Sequence, residues 1–333
     1  MELFAFILLL CVGVITIVSE NKYVLWLFYI PFLYLFMIVV RNSGFDADML
    51  EYARSMQYSS HSIYYLREFV FWYMVRFFYY IFNNEITVFL LMDMIWIFTL
   101  YRASVNLSKS SQIKNNLSLG LIVVLSTSFP LFFGYENIYR QLFATIFLLY
   151  SYSLLHTSYK KSIFFFCISV FMHNISIVLV PIFLINKIFR FKLYIRVFLS
   201  LLISIIFIML FDYASEFKSA KSTGSDMRLI YLFLFLSIFI MYLIKFKFRF
   251  LDLFRKTPSL IIILILMFGL LTFEYDMISE RLGMMFLVFL LFDLYRYSNT
   301  ILKYSNRIVF RLFLLLLFSI PVLIFSSSRM FLI

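Results

Sequence analysis

Residues 137–181 read NIYRQLFATIFLLYSYSLLHTSYKKSIFFFCISVFMHNISIVLVP. Two long apolar runs flank the Lys160-Lys161 turn, with Arg140 near the start of the first and His173 in the middle of the second. A helix needs about 20 apolar residues to cross a bilayer, so the stretch predicts helices buried in lipid. Comparable runs occur at 3–19, 23–40, 86–101, 117–134, 138–157, 162–186, 197–212, 229–244, 258–273, 282–297 and 308–325. Of the 333 residues 64% are hydrophobic and 14% charged, whereas a soluble domain is about 45–50% apolar and about 25% charged. That balance excludes a soluble globular enzyme, a disordered chain and a coiled coil.

At roughly 25–30 residues per span and turn, the chain has room for about 11–13 membrane-crossing units. Helices are the expected form, because only helices and closed barrels satisfy their backbone in lipid, and the alternation of barrel strands is absent. The prediction is one integral membrane domain over 1–333: all-α, polytopic, with about 10–12 transmembrane helices. Segment 3–19 lacks a basic leader and a small-residue cleavage site, so it reads as a retained span. Cys11 and Cys167 lie in apolar runs far apart, which argues against a disulfide framework or a metal knuckle.

The net charge of +12 could suggest nucleic acid, but the basic residues fall in small clusters between apolar runs. That is the positive-inside bias of short cytoplasmic loops, and no nucleic-acid partner is expected. The connections holding Arg102/Lys109/Lys114, Lys160/Lys161, Lys187/Arg190/Lys192/Arg196, Lys245–Lys256 and Arg296/Lys303/Arg307/Arg311 are placed in the cytoplasm. Connections 41–68, 83–85, 135–137, 213–228 and 274–280 carry most of the acids, Glu68 among them, and face outward.

Two segments break the alternation. Run 162–186 has basic residues at both ends yet is too short for two full spans at 1.5 Å per residue. It reads as a re-entrant or tilted helical hairpin with its apex near Met172-His173-Asn174, flooring an outward-facing cavity; a single long span is the plainer alternative. Non-helical backbone at such depth survives only where protein or a wet cavity surrounds it. Segment 69–82 is short and carries Arg76 near its centre, so it reads as an interfacial amphipathic helix completing an outer loop over 41–85.

Ionisable groups within apolar runs usually face a cavity or a partner. Arg140-Gln141 follows the short turn Tyr135-Glu136-Asn137, where a guanidinium can reach a phosphate in bidentate fashion, snorkel, or pair with Glu136. His173-Asn174 can supply a general base or an orienting partner, or a neutral hydrogen-bonded imidazole between helices. Glu280-Arg281, close behind Glu274 and Asp276, offers a second cation for a diphosphate or an interfacial salt-bridge cluster. Asp46-Ala47-Asp48 has a metal-binding spacing without any nucleotide-binding domain; a sugar-binding or structural loop, with Tyr52 able to stack on a ring, is the preferred reading. No Walker lysine loop, dinucleotide glycine motif, zincin motif or nucleophile elbow occurs.

Taken in order, these elements are Gly44-x-Asp46 with Tyr52 behind it, Asn137-x-x-Arg140-Gln141-x-x-Ala144, the Lys-Lys turn, Phe171-x-His173-Asn174 with Pro181 behind it, and the late Glu280-Arg281. The set resembles the EpsG/Wzy-type family of polysaccharide repeat-unit polymerases, most strongly in the Arg-Gln-x-x-Ala helix followed by the His-Asn helix. The resemblance implies a GT-C-like membrane glycosyltransferase that needs no metal or other cofactor. It would act at the periplasmic face of the inner membrane, joining undecaprenyl-diphosphate-linked oligosaccharides into O-antigen or a related surface polysaccharide, alongside a chain-length regulator. Arg140 and Arg281 would stabilise the leaving diphosphate and His173 would serve the acceptor hydroxyl. Glu136 would hold Arg140 or act as an alternative base. Asp46, Tyr52, Gln141, Asn174 and Glu280 would contact substrate. A flippase would need a cationic lumen open to both sides, an O-antigen ligase a larger late outer loop, and an O-acyltransferase an early-span His.

Overall fold

A chain that buries its backbone in hydrocarbon must satisfy its N–H and C=O groups within each segment, and every regular element among the described residues is helical. The computed structural model describes residues 1–45, 47–57, 66–110, 119–155, 157–180, 227–249 and 276–325, with Leu332 and a few isolated positions between 183 and 209. The protein is an all-α polytopic membrane protein. Among the described residues, four helices are long and apolar enough to cross a bilayer: Glu2–Ser19, Lys22–Ser43, Glu85–Leu107 and Tyr304–Ile324.

Helix α1 (Glu2–Ser19) ends at Glu20 in the left-handed conformation, φ 47°. Helix α2 (Lys22–Ser43) restarts at once, because the Asn21 side chain accepts the Tyr23 N–H at 2.9 Å. Pro31 lacks an N–H and its ring would crowd the carbonyl one turn back; α2 widens into a π turn over Leu25–Tyr29 just before it. Helices α3 (Ala47–Met56) and α4 (Phe69–Phe82) follow, then α5 (Glu85–Ser110). The run expected at 117–134 is two helices, α6 (Gly120–Ser126) and α7 (Phe129–Glu136), interrupted at Thr127-Ser128 ahead of Pro130. Hydroxyls mend the break: Ser126, Thr127 and Ser128 donate to the carbonyls of Ile122, Val123 and Leu125 at 2.6–2.8 Å.

Helices α8 (Tyr139–Leu154) and α9 (Tyr159–Met172) form the pair around the Lys-Lys turn, and a 3-10 turn over Asn174–Leu179 follows α9. The chain leaves α9 at His173, the expected apex of the 162–186 hairpin; most of the returning arm lies outside the described residues. Helices α10 (Met227–Lys245), α11 (Asp276–Ser298) and α12 (Tyr304–Ile324) complete the described elements. They match the runs expected at 229–244, 282–297 and 308–325, while the runs at 258–273 and most of 197–212 fall outside the description.

Two compact units are distinguished, one of Met1–Ser176 with Leu291–Ile333 and one of Ile177–Leu290. Within the first, side-chain bonds tie helix ends together in two groups. At one end Arg41 donates to the Tyr135 carbonyl, the Asn137 side chain accepts the Asp48 N–H, and Gln57 donates to Glu85. At the other, Glu20 accepts from Arg307 and Arg311, tying α1 to α12. In the second unit Gly283 lies against the Tyr231 ring, where a Cβ would come within 2.7 Å of Cδ2.

Candidate active site

The α8–α9 pair sets the position of the site residues. Ser151 Oγ donates to the Ser162 carbonyl at 2.6 Å, and Ser162 Oγ donates back to the Ser151 carbonyl at 2.8 Å. Two turns further along, Ser169 Oγ donates to the Ala144 carbonyl at 2.7 Å. Small residues let helix backbones approach closely in lipid, where hydrogen bonds across the seam help hold them. The spacing is matched on both sides: Ser151 to Ala144 is the same number of residues as Ser162 to Ser169, and one further turn on each helix reaches Arg140 and His173. An antiparallel register thus brings together two residues a whole helical hairpin apart in sequence.

Their meeting point is Glu68, immediately before α4. Arg140 Nη1 bonds Glu68 Oε2, and His173 Nδ1 lies 2.8 Å from Glu68 Oε1. The Asn174 backbone N–H also points at Oε1, at 3.4 Å. The side chains of Glu68, Arg140 and His173 are only 9, 12 and 14% exposed, so the cluster is largely shielded from water. Helix α9 ends here, and His173 adopts an extended conformation (φ −157°, ψ 123°) that frees the following N–H to face the carboxylate. The rings of Tyr52 and Trp72 lie 5.2 and 5.1 Å from the Arg140 guanidinium, a cation–π setting that fixes its plane. Burial would raise the Glu68 carboxyl, but bonds and charges from His173, then Arg140, and the Asn174 N–H outweigh it and hold the group below the usual carboxylate range.

Other expected residues fall in different places. Tyr52 is 4% exposed, with its ring beside Arg140. Gln141 is buried one residue beyond Arg140, and Asn174 is exposed apart from its backbone contact with Glu68. Arg140 has Glu68 as a carboxylate partner, and Glu136, 8% exposed, acts electrostatically on Arg41 and Tyr135. Arg281 is half-buried in the second unit. Asp46 and the side chain of Glu280 lie outside the described residues. Among those described, no group of three His, Cys, Asp or Glu side chains is placed to hold a metal ion.

Sequence reading passed over two groups. Glu68 counted only as one acid of an outer loop, since nothing in linear order couples it to residues 72 and 105 positions later. A second cluster lies beneath it, where Arg41 donates to both oxygens of Asp93 at 2.9 and 3.1 Å. Asp93 also accepts from Trp96 Nε1 at 2.9 Å and Tyr139 OH at 2.6 Å. Asp93 stands amid the apolar run 86–101, and an acid in such a run was the available signal. This network pins Tyr139, the residue before Arg140, and so anchors the start of α8.

A model of the EpsG family matches residues 25–331, nearly the whole chain, including most of α2, all of α3 to α12 and every residue of the Glu68 cluster. No curated protein and no solved structure matches it. On the strength of that match, the chain belongs to the EpsG family.

Proposed function

We propose that this protein polymerises polysaccharide repeat units, transferring a glycan from one lipid diphosphate onto a sugar hydroxyl of another lipid-linked unit. EpsG-family membership points to a polymerase of polysaccharide biosynthesis, and the apolar helices to a multi-pass membrane protein. The finer reading takes undecaprenyl diphosphate as the lipid carrier, the outer face of the inner membrane as the place of reaction, and O-antigen or a related polymer as the product. The observation that carries it is the convergence of Arg140 and His173 on one shielded carboxylate where an apolar helix breaks.

In the transfer, the acceptor hydroxyl oxygen bonds to the donor's anomeric carbon. The bond from that carbon to the diphosphate oxygen breaks, and the lipid diphosphate leaves with the electron pair. Arg140 faces the negative charge that develops there, and a guanidinium already fixed in a water-poor site needs little reorganisation to do so. Glu68 beside Nδ1 favours the imidazole tautomer whose Nε2 takes the hydroxyl proton. Tyr52 and Trp72 orient the guanidinium. Asp46, Gln141, Asn174, Glu280 and Arg281 are assigned to substrate contacts, and Glu136 to the electrostatics around Arg41. The leaving diphosphate supplies the driving force.

The test is the surface glycan of a deletion strain complemented with wild type, Arg140→Ala or His173→Ala at matched expression. Wild type restores a ladder of repeat lengths and both variants leave single-repeat glycan, since losing one preorganised donor typically lowers a rate about 10²–10³-fold. A deletion strain that loses all surface glycan, single-repeat form included, refutes the polymerase reading in favour of a flippase or ligase.

A further inference from the structure

Arg140 Nη1, His173 Nδ1 and the Asn174 N–H converge on the Glu68 carboxylate. Such a set of donors suits a phosphate oxygen cluster, and its anion here is a side chain of the protein itself. We propose that Glu68 is a built-in stand-in for the substrate's diphosphate: it occupies the anion site when empty, and a diphosphate displaces it from Arg140 and the Asn174 N–H. The inference rests on Arg140 as the diphosphate-binding residue and adds that the site is self-occupied.

Three observations support it. Arg140 is shielded among Tyr52, Trp72 and Glu68, and a charge so removed from water is unfavourable without a counter-ion. An empty site therefore needs an internal anion to keep the guanidinium folded in. Carboxylate and phosphate are interchangeable partners for a guanidinium fork, so one can replace the other without moving it. Finally, Glu68 precedes α4 in a non-helical conformation (φ −127°, ψ 44°), while its carbonyl accepts the Trp72 N–H at 3.3 Å. Its backbone is thus tied down while its side chain can turn from Arg140 towards His173 Nδ1 without unwinding the helix.

The prediction runs against the usual effect of removing a charge partner. Glu68→Gln keeps the side chain's size and hydrogen-bonding ability but removes the competing charge, so the anion site should bind more tightly. Inorganic diphosphate titrated calorimetrically into the purified, detergent-solubilised protein should bind Glu68→Gln at least tenfold more tightly than wild type, about 1.4 kcal/mol. Adding Arg140→Gln to that variant should abolish the gain. Glu68→Asp, too short to reach both partners, should show a smaller gain in the same direction and decides the matter if Glu68→Gln does not fold. Equal or weaker binding in a folded variant, or no binding in any of these proteins, overturns the proposal. A wild-type protein that restores the glycan ladder alongside such a result leaves the polymerase reading standing; a deletion strain without a polymerisation defect refutes that reading whatever the titration gives.

Discussion

Asp93 is the acceptor on which one end of the first unit depends. It takes two bonds from Arg41, one from Trp96 and one from Tyr139, with Arg41 and Asp93 only 2% and 0% exposed. Asp93→Leu removes the acid and leaves the Arg41 charge buried without its bonded carboxylate, although the Tyr135 carbonyl still accepts from it at 2.9 Å. Breaking a buried pair from one side costs about 3–5 kcal/mol, whereas replacing both members by apolar side chains of similar volume is often neutral. Asp93→Leu should therefore lower stability by about 3–5 kcal/mol, and adding Arg41→Met should recover most of it. The assay is reversible unfolding in mixed micelles followed by circular dichroism, on both single variants and the double, so that the coupling energy comes from the cycle. The single variant also loosens Tyr139 and with it the start of α8, so its glycan ladder should shorten even at matched protein levels. A loss below about 1 kcal/mol, or a double variant no better than the single, would refute the claim that charge burial governs this cluster.

Three further outcomes follow from the geometry. Because the Glu68 carboxyl is held below the usual range, its stabilisation is complete above that range and disappears as pH falls through the lowered value. Melting temperatures of wild type and Glu68→Gln should accordingly converge in acid, and a gap that persists unchanged at low pH speaks against the pairing. Ser169→Leu wedges α8 and α9 apart where Ser169 Oγ now bonds the Ala144 carbonyl at 2.7 Å; a shift of about 1 Å between His173 and Arg140 should lower polymerisation roughly 10²-fold while the protein still accumulates. An undiminished ladder would show that this register does not set the site. In the second unit, Gly283→Val forces a side chain into the Tyr231 ring, where a Cβ alone would lie 2.7 Å from Cδ2. Overpacking of this kind costs about 1–3 kcal/mol, and Tyr231→Ala in the same chain should return part of it in an unfolding titration.

Much of this protein was legible residue by residue. Runs of apolar side chains long enough to cross a bilayer require helices on backbone grounds alone, and α1, α2, α5, α8 and α12 lie where those runs predict. The break at His173 was foreseeable because basic clusters at both ends of 162–186 conflict with a simple crossing. Arg140 and His173 stood out because ionisable groups are expensive in lipid, a property of each residue in its own window. The break at Thr127-Ser128 was missed, since the hydroxyls that make it tolerable are also compatible with an unbroken span.

Partnership was different. Glu136, four positions away, was the carboxylate that sequence distance offered Arg140; the Glu68 bond, across 72 residues, was not legible at all. Arg41 likewise finds Asp93 across 52. Sequence determined which residues had to find partners, because the energetic demand of burying a charge is local. Only tertiary structure decided which partners they found: the serine-lined seam of α8 and α9 fixes the register that carries His173 to the level of Arg140, and Glu68, just before α4, meets both there. A few ångströms of helix register, set by close contacts between small residues, separate two isolated polar groups from a site.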